Sequence, residues 1–67
     1  MKIIPGKKFI HKKGGLYEVI ALARSSNDCK QELVVYESLE DSDDFPRGTV
    51  WVRSRTEFET PGRFTPY

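Results

Sequence analysis

The sequence predicts an all-β fold, a small SH3-like barrel of about five antiparallel strands with one short helical turn near the C-terminus. Three observations lead there. Apolar, β-branched and aromatic residues come in short runs separated by Gly, Pro and Asx punctuation, and no stretch sustains a long helical period. The chain has 67 residues, room for one domain over 1–67. A β-chain that short manages its sheet edges best by closing the sheet on itself.

The first strand is KKFIH, 7–11, with Phe9 as its inward anchor. KKGG, 12–15, is turn chemistry, because paired glycines reach positive φ without steric cost. LYEVIALAR, 16–24, follows, with Tyr17, Val19, Ala21 and Ala23 on one side and Glu18, Ile20, Leu22 and Arg24 on the other. Apolar groups on both sides suit a strand that bends sharply around a small core. Gly15 before it and Ser25-Ser26-Asn27-Asp28 after it bound it as a strand rather than a helix. ELVVYESL, 32–39, is the clearest strand, an unbroken β-branched and aromatic run. EDSDDFPRG, 40–48, is an acidic loop broken by Pro46 and Gly48. TVWVRS, 49–54, is the next strand, RTEFE, 55–59, one helical turn that drops Phe58 into the core, and TPGRF, 60–64, a turn into a short last strand carrying Phe64.

Composition narrows the function classes. A domain this small buries only about 60% of its unfolded surface, and its stability margin is roughly 3–5 kcal/mol without staples. Cys29, the single cysteine, lies in the polar run SSNDCK and marks no disulfide framework. No apolar run approaches the roughly 20 residues that span a bilayer. The start MKIIPGKK breaks at Pro5-Gly6 before a signal-peptide core can form, so a cytoplasmic protein without membrane association is expected. Net charge is +1, too small for a general nucleic-acid or membrane argument. It is unevenly distributed: seven Lys or Arg against two acids in residues 1–30, four against eight in residues 31–67.

Catalysis is disfavoured. His11 is the only side chain that ordinarily titrates near neutrality, and Cys29 has no cationic cluster or helix terminus in sequence to activate it. No strained serine elbow is present. Asp41, Asp43 and Asp44 lack the glycine and closing glutamate of a calcium loop. No metal and no cofactor are expected. A small enzyme or metal site centred on His11 remains the least supported alternative.

Binding is the better class, with a peptide or protein as the expected partner. Alternation puts Val50 and Val52 on one side of a strand and Trp51 and Arg53 on the other. An indole can stack on a proline ring, a base or a cation, and a guanidinium can hold a carboxylate or phosphate through two parallel hydrogen bonds. The candidate face carries His11, Lys13, Tyr36, Trp51 and Arg53, with Tyr17 nearby. Each also has a structural reading. Trp51 and Tyr36 can pair across strands, Arg53 can neutralise Glu32 or Glu37, and His11 can fix the KKGG turn. A nucleic-acid module would use the same aromatics with Lys12 and Lys13 on phosphates.

HKKG at 11–14, Tyr17-Glu18-Val19, Ala23-Arg24, ELVVY at 32–36, Leu39, WVR at 51–53, Phe58 and Arg63-Phe64 stand in that order. In this the chain resembles a bacterial family catalogued as a domain of unknown function, numbered sixteen fifty-three. The resemblance runs from Phe9 to Phe64 and implies a stand-alone protein or appended module with an SH3-like barrel; it brings no activity. Glu40, Ser54 and Glu57 depart from the pattern, and the acidic loop is longer than it suggests. On this pattern Tyr17, Val19, Val35, Val50, Val52, Phe58 and Phe64 are expected in the core. His11, Lys13, Glu32, Arg53 and Arg63 are the polar signature, either converging with Trp51 on a site or forming a His–Glu–Arg network that pins the turns.

Overall fold

The computed structural model describes residues 2–67; Met1, which the single-domain expectation includes, lies outside the described residues. Five strands are present, β1 (Lys8–His11), β2 (Leu16–Arg24), β3 (Glu32–Ser38), β4 (Val50–Ser54) and β5 (Phe64–Pro66), with one helical turn, α1 (Arg55–Phe58), between the last two. All pair antiparallel in one sheet of order β4-β3-β2-β1-β5. The all-β, SH3-like expectation holds, and each strand agrees with its expected span to within a residue or two.

Local chemistry accounts for the connections. Gly14 and Gly15 sit at φ +94° and +95°, a conformation that L side chains rarely adopt. A methyl group at Gly15 would also meet the Tyr17 ring at 3.1 Å, so the tightness of this turn and the position of Tyr17 go together. β2 carries an irregularity between Val19 and Ala21. The extra residue, Ile20, bends the strand where its sequence is apolar on both sides. Ser54 caps α1: its Oγ accepts the Glu57 backbone N–H and donates to the Glu57 carboxylate.

The core is Ile3, Phe9, Val19, Val34, Tyr36, Phe58 and Phe64, with Tyr17 and Trp51 packed against it. Four of these rings interlock. Phe58 stacks on Phe64 with centroids 4.1 Å apart, and meets Phe9 at 5.2 Å and Tyr36 at 5.5 Å edge-on. Phe64 on β5 also touches Tyr36 on β3 at 5.7 Å, although β1 and β2 lie between those strands. In a flat sheet three strand spacings would separate them by about 14 Å. The sheet is therefore curled, and α1 bridges its two ends through Phe58.

Three expectations are corrected. Val50 and Val52 are 57% and 58% exposed, not core. They follow the register: Val52 pairs with Val35 and Trp51 with Tyr36, and the inward residues of β3 are Val34, Tyr36 and Ser38. Trp51 and Arg53 thus share the inner side with Tyr36 and Val34. Val35, on the outer side, is only half-buried. Tyr36, a candidate for a binding face, is 5% exposed and belongs to the core by its ring. Ile3, which no strand assignment included, is buried.

Candidate binding cleft

Because Trp51 and Arg53 lie on the concave side at one end of the sheet, they meet the β1–β2 turn instead of open solvent. His11, Lys13, Gly14, Tyr17, Tyr36, Trp51, Arg53 and Phe64 line a cleft of about 270 Å³. The five residues singled out from sequence, scattered over β1, the turn, β3 and β4, are all in it. Tyr36 reaches it with its hydroxyl end.

A second cleft of about 400 Å³ adjoins the first and shares Lys13, Gly14, Tyr17 and Trp51 with it; Ser38, Glu40, Asp41 and Phe45 line its far side. Trp51 is the wall between them. Its indole Nε1–H donates to Ser38 Oγ at 2.9 Å, and Phe45 from the acidic loop meets its ring edge-to-face at 4.8 Å. Trp51 is thus half-buried and held from two sides. Phe45 was missed as a site residue; an aromatic beside Pro46 in an otherwise acidic loop was the available signal. Phe64 and Ser38 gave none, since nothing local separates a site wall from a core wall.

The two clefts differ in charge. On the far side the carboxylates are already engaged: Glu40 Oε1 accepts the Leu16 N–H at 3.1 Å and Asp41 Oδ1 accepts the Arg47 N–H at 2.7 Å. On the near side the cations are loosely held. Arg53 Nε–H donates to Tyr36 Oη at 3.4 Å, and Arg53 Nη1 lies 3.7 Å from the exposed Glu57 carboxylate. The Tyr36 hydrogen bond, then Glu57, raises the guanidinium pKa, so it stays charged. Neither Lys13 nor Arg63 has a carboxylate within ion-pair distance among the described residues. Arg63 Nε is buried and lacks a hydrogen-bond partner among them.

Glu32 is not part of this site. It pairs with Arg55 at 2.7 Å, so the His–Glu–Arg network, one of the two alternatives, does not form with Glu32, and Arg53 is neutralised by neither Glu32 nor Glu37.

His11 joins the turn to the cleft. Its Nδ1 accepts the Lys13 backbone N–H at 3.1 Å, and its ring stands edge-to-face on Phe64 at 4.9 Å. An accepting Nδ1 leaves the ring proton of the neutral imidazole on Nε2. Burial first, then the charges of Arg53, Arg63, Lys12 and Lys13, hold the His11 pKa below its ordinary 6.5. The unfolded chain therefore binds a proton more readily, and stability rises with pH between the lowered midpoint and about 6.5. Two results are expected: His11 ring signals titrate below 6.5, and the melting temperature falls on acidification through that window. Arg53→Gln should move the midpoint back toward 6.5. A midpoint at or above 6.5 in the wild type would contradict the placement of these cations.

A family model described as a protein of unknown function (DUF1653) matches residues 7–63, a span that holds every lining residue of both clefts except Phe64. No curated protein and no solved structure matches the chain.

Proposed function

The chain belongs to the DUF1653 family, which carries no assigned activity, and we propose that this member is a non-enzymatic module that binds a peptide segment of a partner protein. One observation carries the reading. Aromatic rings and a charged, loosely paired guanidinium from distant parts of the chain line one open cleft, which adjoins a second across Trp51. Concave, ring-walled grooves with a few placed polar groups are what extended peptides dock into.

The nucleic-acid alternative fares worse on charge. A phosphate backbone following the groove past Trp51 would run along Glu40 and Asp41, well within a Debye length of about 8–10 Å. A His11-centred enzyme is also less well supported. The Nδ1 lone pair is used by the Lys13 N–H, and the charged groups around the ring are all cationic, so no carboxylate orients it as a general base. No described helix is long and apolar enough to cross a membrane; a cytoplasmic setting is part of this proposal.

Peptide display against the full chain should select ligands with dissociation constants on the order of 1–100 µM, ordinary for a small groove. Their amide and side-chain NMR shifts should centre on His11, Lys13, Trp51 and Arg53. Arg53→Ala should weaken them about tenfold or more, while Val52→Thr on the opposite face leaves them unchanged. Ligands that shift only the outer face around Val50 and Val52 would sink the reading.

A further inference from the structure

The near half of the cleft holds more positive charge than the fold uses. Among the described residues Lys13 and Arg63 have no carboxylate within ion-pair distance, Arg53 has only a long contact to a carboxylate on the rim, and burial together with the charges of these cations lowers the His11 midpoint. The acids of the far half are, by contrast, accounted for by the backbone N–H groups they cap. We propose that the His11, Lys13 and Arg53 half of the cleft is a subsite for the carboxylate of an Asp or Glu side chain on an extended peptide, with an apolar neighbour of that residue against Trp51 and Phe45. This deepens the peptide-binding reading and rests on it.

Charge complementarity selects the occupant. A planar carboxylate matches the edge of a guanidinium and can take Lys13 as a second contact. A single negative charge offsets part of the local excess. A phosphate dianion would also meet Glu57 beside Arg53, and a polyanion would meet Glu40 and Asp41 further along. The rings of Tyr17, Trp51 and Phe45 continue from the cationic end, which gives an apolar neighbour somewhere to lie. Arg63 adds field from behind His11: its backbone carbonyl accepts the Lys12 N–H, so the β1–β2 turn and the start of β5 present their charges together.

The probe is a positional-scanning library of hexapeptides with both termini blocked, read on the full chain by retention and by the His11 and Trp51 NMR signals. Pools fixed as Glu or Asp should be retained about tenfold over the matching Gln or Asn pools, the size of effect one charge-assisted hydrogen-bond pair produces. The His11 midpoint should rise on saturation, because the bound carboxylate offsets the cations. Lys13→Gln and Arg53→Gln should each erase the preference. Lys13 is an exposed turn residue, so its variant tests the subsite even if Arg53→Gln fails to fold. Equal retention of Glu and Gln pools, with Trp51 still shifting, overturns the carboxylate subsite and leaves the peptide-binding reading standing. A preference that appears only in a parallel library with free C-termini overturns the side-chain assignment in favour of a terminal carboxylate. If no peptide pool shifts Trp51 or His11, or if only a single-stranded oligonucleotide does so with steep salt dependence, both readings fall.

Discussion

Phe58→Ala is expected to leave most of the chain unfolded at 25 °C. Phe58 is 0% exposed and contacts three other core rings, stacking flat on Phe64 and meeting Phe9 and Tyr36 edge-on. Truncating a buried Phe costs about 3–5 kcal/mol through lost transfer energy and the residual cavity, and a β-domain of this size without disulfides has roughly 3–5 kcal/mol in hand. The effect is architectural as well as energetic, because α1 is the piece that joins the β4 end of the sheet to the β5 end. Amide NMR dispersion and a circular dichroism melt of the variant decide the matter. Collapsed dispersion and no cooperative transition are expected. A variant melting within about 5 °C of wild type, a shift worth only about 1 kcal/mol at this size, would mean that the aromatic stack is not what closes the domain.

Trp51→Ala should cost less stability and more function. The indole is half-buried, so its truncation loses part of the roughly 3–5 kcal/mol of a fully buried Trp. It also removes the donor to Ser38 Oγ, and Ser38 is 8% exposed, which leaves a nearly buried hydroxyl without that partner at a cost of about 1 kcal/mol or more. Together these lower the melting temperature by about 10–20 °C, at 4–8 °C per kcal/mol. Trp51→Phe goes part of the way to separating the two contributions, since it keeps an aromatic ring against Phe45 and removes the N–H with a smaller loss of ring surface. It should recover part of the stability while ligands selected on the wild type bind weakly to both variants. Wild-type fluorescence should lie between that of a buried and a water-exposed indole. Should Trp51→Ala melt like the wild type, the ring is a free surface group and the wall between the two clefts does not exist.

These two residues also show what was legible in advance. The place of Phe58 in a single helical turn between two strands puts it in the core, and the structure buries it there. Alternation leaves Trp51 open between surface and core, and it is both, half-buried against the core and lining two clefts. His11, Lys13, Tyr36, Trp51 and Arg53 are five of the eight residues that line the cleft, yet the reason they meet lies in no local stretch. His11 and Lys13 stand at one turn, Tyr36 lies 23 residues after Lys13, and Arg53 lies 17 after Tyr36. Only the curl of the sheet brings the β1–β2 turn over the inner side of β4. The role of Phe45 escaped for the same kind of reason, since a loop aromatic finds its partner by the path of the loop.

What the amino-acid order determined by itself is the set of strands, their punctuation and the class of the fold. Those follow from short-range physics: β-branched runs favour extended backbone, paired glycines allow the positive φ of the turn at 14–15, and a serine caps the helical turn at 54. What only the tertiary structure decided is which side of VWVRS faces in. Alternation divides Val50 and Val52 from Trp51 and Arg53 but is silent on which pair is buried, because both sides carry apolar surface. The choice was made by register against β3, whose inward residues Val34 and Tyr36 align with Arg53 and Trp51. Register is a long-range quantity set by the whole aromatic core, and a one-residue slip would have turned the site inside out.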